Sequence, residues 1–413
     1  MGMNDTPSAE RVHIGLFGRR NAGKSSLINA ITGQNLAIVS DVKGTTTDPV
    51  SKAMELLPIG PVVFIDTPGF DDSGQLGKLR VEKSFQMLQK TDFAILVVDA
   101  TLGFGKHEES MLKDIIDRNT NYIVVVNKSE ELDTDKTQSL KNNIITEGNV
   151  PEDSIIFVSA RNNENIFELK ELIGKKASKD ESKKRLTGNL LSKGDVALLV
   201  VPIDSAAPKG RLILPQQQVI RDVLEAGAAA FVCRESELSD TLNALKNPPK
   251  IVITDSQAFE YVAKIVPDEI MLTSFSILFS RYKGDLAKQL KGADALDNLK
   301  DGDIILISEG CTHHRQCDDI GTVKLPAWIR KYTNANIDFK FTSGTQFPKE
   351  FDEFAMIVHC GGCTLNEKEM KARINIASNN NIPMTNYGMA IAKMKGILER
   401  SVAPFMDELG GRA

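Results

Sequence analysis

The residues Gly18-Arg19-Arg20-Asn21-Ala22-Gly23-Lys24-Ser25 fit the spacing G-x-x-x-x-G-K-S. Such a loop wraps phosphates. Its glycines let the backbone close on an anion, and the helix that follows points N–H groups at it. Lys24 supplies a charge for the β and γ phosphates, and the Ser25 hydroxyl can ligate Mg²⁺. With Ala22 and Ser26 beside them, these residues form the candidate phosphate cradle.

Further segments follow in the order a nucleotide-hydrolysing site requires. Gly44-Thr45-Thr46-Thr47-Asp48 is a polar stretch in which Thr46, or Thr47 one register away, can close on Mg²⁺ when a γ-phosphate is present. In Asp66-Thr67-Pro68-Gly69 the aspartate can hold Mg²⁺ through water, and the Gly69 amide can meet the γ-phosphate. Phe70 comes next and cannot orient an attacking water as a glutamine would, so intrinsic hydrolysis is expected to be slow. Asn127-Lys128-Ser129-Glu130 resembles the guanine-reading N-K-x-D. A carboxylate there accepts two hydrogen bonds from the guanine edge that adenine cannot supply. Glu130 stands where an aspartate is usual, so its longer arm must be repositioned. Ser159-Ala160 is the candidate for the last base-contacting loop.

A second concentration of chemistry lies far along the chain. Of five cysteines, Cys311, Cys317, Cys360 and Cys363 fall in the last quarter, with His313, His314 and His359 among them. Cys360-Gly-Gly-Cys363 is a C-x-x-C whose glycines free both thiolates to turn to one metal, and Cys311 adds a third soft ligand. Thiolates select zinc or an iron–sulfur cluster over Mg²⁺ or Ca²⁺. Three cysteines with a histidine make a closed zinc site, or hold a 4Fe-4S cluster with one iron weakly bound by protein. The residues alone leave both open. Cys233, in the apolar run AAAFVC, reads as a buried reduced thiol, and Cys317 as a bystander.

The elements that must position these residues alternate. Apolar strands are expected at 12–17, 62–67, 93–100, 122–128 and 155–160, with helices at 25–32, 76–90 and 108–118 between them. That is the pattern of a mostly parallel sheet covered on both faces. It defines an α/β domain from 8 to 174. A charged stretch at 174–185 reads as a solvated linker or helix end. Strands at 196–203, 229–234, 250–256 and 271–276, with helices at 215–227, 235–246 and 257–265, make a second unit over 186–276. Strands at 303–308, 337–343 and 353–360, with helices at 327–333, 366–380 and 388–401, make a third over 277–413. The last two units are expected to share a plan. Both cysteine segments follow strand ends, which lie on one edge of a parallel sheet, so they are expected to face one crevice.

Composition narrows the classes. At 413 residues the chain is too long for one core. Its net charge of -5 argues against a nucleic-acid binder, which carries a basic face. An odd cysteine count suits no disulfide framework. With no run of ~20 apolar residues and no apolar core in the N-terminal MGMNDTPSAE, the expectation is a cytoplasmic protein without a membrane span.

The nucleotide motifs together resemble the translation-factor-like GTPases, especially the branch that includes the tRNA-modification GTPase. In potassium-dependent members of that branch the position of Asn21 ligates a monovalent cation beside the phosphates, which implies a K⁺ site that substitutes for an arginine finger; the alternative is that Asn21 only shapes the loop. The whole chain is similar to the FeFe-hydrogenase maturation GTPases, the HydF family. The similarity rests on C-x-H at 311–313, H-C-x-x-C at 359–363, and the segment Pro202-Ile203-Asp204…Ala207-Pro208-Lys209-Gly210-Arg211-Leu212-Ile213-Leu214-Pro215. The resemblance implies a GTP- and GDP-binding scaffold with Mg²⁺, a 4Fe-4S cluster on Cys311, Cys360 and Cys363, and a middle dimerisation unit. It also implies transient carriage of a diiron precursor made by two radical-SAM maturases and passed to the FeFe-hydrogenase apoprotein. His313, His359 and Glu309 are its candidates for a labile fourth ligand; His314 is expected to sit behind the first. Against this stands an RNA-modifying or ribosome-associated GTPase with a structural zinc site, or an enzyme working at the metal centre, although no acid–base pair lies near the cysteines beyond Asp318 and Asp319.

Overall fold

The computed structural model describes residues 8–33, 50–69, 84–177, 185–187, 190–203, 212–310, 319–344, 346–348 and 350–410. The chain divides into two compact units, Met1–Glu181 and Ser182–Ala413.

The first unit is built on a six-stranded sheet of β1 (Val12–Phe17), β2 (Val50–Leu56), β3 (Gly60–Asp66), β4 (Phe93–Asp99), β5 (Asn121–Asn127) and β6 (Ile155–Val158), in the order β2-β3-β1-β4-β5-β6. Helix α1 (Lys24–Thr32) and a later helix on the same side put Leu27, Ile28, Ile31, Leu169 and Ile173 against one face. The other face meets α2 (Lys106–Asp117), α3 (Thr134–Thr146) and the helical residues 84–90, through Leu88, Leu112, Ile115 and Ile144. Burial on both sides is why β4 is apolar at nearly every position and buried at all of them. Helix α4 (Ile166–Ala177), the second helix of the first face, carries Lys175 and Lys176 in its last turn, so the charged stretch begins as a helix end with cations on the negative pole. Strand β2 was not anticipated. It runs antiparallel to β3 at the sheet edge, and a lysine, Lys52, takes one of its inward slots, which breaks the apolar alternation that would have marked it.

The second unit holds two four-stranded parallel sheets. One contains β7 (Val196–Val200), β8 (Ala229–Cys233), β9 (Ile251–Thr254) and β10 (Met271–Ser274), in the order β10-β9-β7-β8. The other contains β11 (Ile304–Glu309), β12 (Asp338–Ser343), β13 (Phe354–His359) and β14 (Met384–Asn386), in the order β12-β11-β13-β14. The plans are identical: the second strand joins one side of the first, and the third joins the other. In such a sheet the order reverses between first and third strands, and a crevice opens there beyond their carboxyl ends.

The helices of this unit are α5 (Leu214–Glu225), α6 (Leu238–Ala244), α7 (Phe259–Ile265), α8 (Phe275–Lys283), α9 (Leu286–Ala293), α10 (Leu325–Thr333), α11 (Glu367–Asn379), α12 (Tyr387–Met394) and α13 (Leu398–Val402). The apolar pattern predicts that β10 runs on to residue 276. Ser274 instead caps a helix, its hydroxyl accepting from the Ile277 amide at 3.3 Å, and α8 starts at Phe275. The expected helix over 388–401 is two helices, parted at Gly396 with φ 69°. Leu398, Val402 and Phe405 share one core with Leu198, Ile253 and Leu272 of the first of these sheets.

Cys233 corrects another expectation. It ends β8, an edge strand on which Phe231 and Val232 are 44% and 47% exposed, and it is itself half-buried. The apolar run marks a strand with an uncovered face. Among the described residues no helix is long and apolar enough to cross a membrane.

Candidate functional sites

A cleft of about 1210 Å³ is lined from the loops that follow β1, β3, β5 and β6. Asn21, Gly23, Lys24, Ser25 and Ser26 form its phosphate side. Gly23 has φ 89°, and a Cβ there would stand 2.2 Å from the Asn127 side-chain nitrogen, so the position admits glycine alone. Lys24 is buried, and its ammonium donates to the carbonyls of Gly18 and Arg19, each at 2.8 Å. The Ser25 hydroxyl donates to an Asp66 carboxylate oxygen, so the two expected Mg²⁺-binding side chains meet. Burial pushes the Asp66 pKa up, opposed by that hydrogen bond and by Lys24 and Lys52. Gly69 lines the same wall. Asn21 adopts φ 62°, a left-handed conformation that asparagine tolerates, which is reason enough for the residue without any ion. Thr46 and Phe70 lie outside the described residues.

Asn127 organises the base end. Its amide nitrogen donates to the Ala22 carbonyl at 3.0 Å, and its oxygen accepts from the Ala160 amide at 3.1 Å, tying the phosphate loop to the last base loop. Lys128 pairs with Asp99. Burial disfavours that carboxylate, but hydrogen bonds from Lys128 and Thr101 outweigh it and hold the pKa below its ordinary value. Glu130 lines the cleft with one carboxylate oxygen buried and without a hydrogen-bond partner among the described residues. A buried acceptor left open costs about 1–3 kcal/mol, which a donor edge entering the cleft would remove. Ala160 also lines the cleft. Ser159 does not; it is buried and its hydroxyl accepts from the Asn162 amide at 3.0 Å. Arg20, at a variable position of the phosphate loop, lines the cleft too, as do Arg161 and Lys170, which no short motif announced.

The end of β11 and the Cys360–Cys363 loop meet at the crevice between β11 and β13. The two strands are neighbours, with Ser308 opposite His359, and the Cys360 amide donates to the Ser308 carbonyl at 2.9 Å. The Cys360 sulfur accepts the Gly310 amide at 3.1 Å and the Gly362 amide at 3.4 Å. Gly362, with φ 65°, turns the chain so that its N–H faces back. Such N–H···S bonds favour the thiolate over the thiol. Burial pushes the Cys363 thiol pKa up, while Lys283 pulls it down. Glu309 is buried, and one of its oxygens accepts from the Tyr387 hydroxyl at 3.3 Å. Burial and the Glu309 charge drive that phenol far above its ordinary pKa, so it stays a donor. Asp319 caps the turn at 320–324, accepting from the Thr322 amide and hydroxyl, each at 2.8 Å. Cys311, His313, His314, Cys317 and Asp318 lie outside the described residues, and among the described residues no group of three metal-binding side chains gathers.

His359 corrects an expectation. It is fully buried; one ring nitrogen, Nδ1, meets the Cys360 carbonyl at 2.7 Å and the other, Nε2, meets Arg373 at 3.0 Å. Arginine only donates, so Nε2 accepts and Nδ1 carries the proton. Burial and the Arg373 charge lower its pKa to about 3. With both nitrogens engaged, His359 is a strut beneath Cys360 and has no lone pair to give a metal.

The sheet, the glycine-bearing phosphate loop and the base-reading segment define a P-loop GTPase domain, and residues 13–128 match the family model described as 50S ribosome-binding GTPase. Residues 186–284 match the hydrogen maturase F dimerization domain and 287–404 the hydrogen maturase F tetramerization domain, together more than half of the chain. The chain belongs to the hydrogen maturase F family of GTPases. It is also similar to GTPase Der of Kosmotoga olearia, 34% identical over 136 residues, 32% of this chain and 30% of that one. GTPase Era of Thermosipho melanesiensis is 35% identical over 161 residues, 39% of this chain and 53% of the relative. The tRNA modification GTPase MnmE of Clostridioides difficile is 34% identical over 162 residues, 38% and 33% respectively. The chain thus spans between about a third and a half of these relatives' length. A crystal structure of Aquifex aeolicus Era bound to GDP.AlF4- aligns at a TM-score of 0.37 and 20% identity over 61% of this chain and 97% of that one, a likeness too low to carry an argument.

Proposed function

We propose that the chain is a GTP-hydrolysing scaffold and carrier for assembly of the FeFe-hydrogenase metal centre. It holds a 4Fe-4S cluster on Cys311, Cys360 and Cys363, receives a diiron precursor from two radical-SAM maturases, and delivers it to the hydrogenase apoprotein. One observation carries the reading. The Cys360 sulfur receives an amide from Gly310, the residue directly before Cys311, so two segments far apart in sequence meet at one crevice in a chain of this family. Amide donors to sulfur and a cation beside the loop suit a thiolate-bound cluster, whose potential such groups tune. The cluster supplies an iron at which cargo can dock. Glu309, buried two residues before Cys311, is the candidate fourth ligand from this segment, with His313 the other.

In the GTPase domain, assigned to 8–174, Lys24 and the loop amides bind the β and γ phosphates. Ser25, Thr46 and Asp66 hold Mg²⁺, and Gly69 senses the γ-phosphate. Glu130 accepts from the guanine edge, supported by its open buried oxygen. Turnover is slow because Phe70 supplies no water-orienting group, and K⁺ at Asn21 accelerates it. Residues 186–284 dimerise the protein, the part of the chain beyond them holds the cluster, and the work is done in the cytoplasm without nucleic acid.

Anaerobic reconstitution with iron and sulfide tests the reading. About four irons per chain, with a paramagnetic signal on reduction, is the expected result. Stoichiometric zinc without iron uptake would discard it in favour of a GTPase with a structural metal.

A further inference from the structure

Lys283 ends helix α8, and its ammonium reaches the cysteine loop. The side chain is buried, with 3% of the residue exposed, and it donates to the carbonyls of Cys363 at 3.2 Å and Leu365 at 3.0 Å. The ring of Phe279, one turn earlier, lies 5.5 Å from the same nitrogen. A buried ammonium is expensive unless negative charge or aligned dipoles answer it. Two carbonyls from the segment just after C-x-x-C do so directly. The thiolates of that motif, once formed, would add to them.

The position of α8 makes the contact more telling. The helix follows β10 and belongs to the segment matched by the dimerization model, whereas the cysteines belong to the segment matched by the tetramerization model. Near its start, the Ser276 carbonyl accepts from the Asn386 side chain at 3.0 Å, and Asn386 caps α12 beside β13. One end of α8 therefore touches β14, in the sheet that presents Cys360, and the other touches the loop that carries Cys360 and Cys363.

We propose that Lys283 is the positioning residue of the cysteine loop and the source of positive charge beside its iron–sulfur cluster, raising that cluster's reduction potential. The inference rests on the iron–sulfur reading given above. A fixed cation stabilises the more negative, reduced cluster more than the oxidised one, because net charge around a cluster is among the terms that set its potential. By holding two nearby carbonyls, the same ammonium also fixes the loop against loss of iron.

The test uses the full chain, reconstituted anaerobically with iron and sulfide, as wild type, Lys283→Met and Lys283→Arg. Iron content, midpoint potential by paramagnetic-resonance titration, and iron release to a chelator are measured, with thermal melting of the cluster-free proteins as the control. Lys283→Met keeps the apolar stem and removes the charge. It is expected either to reconstitute with a more negative midpoint and several-fold faster iron release, or to remain folded and lose iron. Lys283→Arg, with the charge kept, is expected to hold the wild-type potential. Equal potentials and release rates in wild type and Lys283→Met at equal iron content would overturn the proposal. Should Lys283→Met fail to fold, a displaced potential in fully loaded Lys283→Arg would overturn it. A wild-type chain that takes up no iron would defeat the iron–sulfur reading itself and is recognised before any variant is compared.

Discussion

The nucleotide cleft and the cysteine crevice both sit beyond the carboxyl ends of parallel strands, yet they are assembled differently. At the nucleotide site the working groups come from short contiguous segments, and much of the binding is done by backbone whose shape a few residues impose. Gly23 shows this, since its left-handed φ and its closeness to Asn127 leave no room for a side chain. The cysteine crevice depends on distant partners: Gly310 and Cys360 for the sulfur bond, Arg373 and His359 beneath it, Lys283 beside the loop. A contiguous site can be recognised as a motif; a site made of crossings can be recognised only once the strands are paired.

The two sites should come apart under substitution. Cys360→Ala is expected to abolish iron loading while leaving GTP hydrolysis within about twofold, as for independent sites in separate units. Iron assay and phosphate release on the same preparation check it. Hydrolysis falling with the iron would mean that the sites are not independent. The reciprocal change, Lys24→Ala, is expected to cost at least about 100-fold in hydrolysis, the scale of one charged group on a transferring phosphoryl. Iron content should stay at the wild-type level, and a joint loss would again break the contrast.

Legibility followed the same division. The positions of the parallel strands in the first unit, the phosphate loop and the Asn127 segment follow from apolar period and motif, because each is decided within a few residues. Strand β2 escaped because Lys52 occupies an inward slot, and Cys233 was misplaced because an apolar run says nothing about which face a neighbour covers. His359 stands beside Cys360 in sequence and looked like a ligand. Only the packing of α11 against β13 reveals Arg373 on its second nitrogen. Lys283 carried no signal at all, since its partners are carbonyls about eighty residues away.

Smaller effects sharpen the nucleotide side. Glu130→Ala is expected to weaken guanine nucleotide binding by about 10–100-fold for each charge-assisted hydrogen bond lost, with adenine nucleotides little changed. Calorimetry with GDP and ADP reads the difference, and unchanged GDP affinity would remove Glu130 from the base site. Replacing K⁺ by Na⁺ is expected to slow hydrolysis about tenfold, if a cation at Asn21 supplies charge at the transferring phosphoryl. Equal rates would leave Asn21 as a loop residue whose φ of 62° is its whole purpose.

The most direct measurement follows delivery itself. The protein is isolated anaerobically from cells that also make the two radical-SAM maturases, then mixed with hydrogenase apoprotein, and hydrogen evolution is recorded. Evolution that scales with the protein added, and is lost with the Cys360→Ala variant, is the predicted result. An iron-loaded wild-type protein that leaves the hydrogenase inactive would contradict the carrier role.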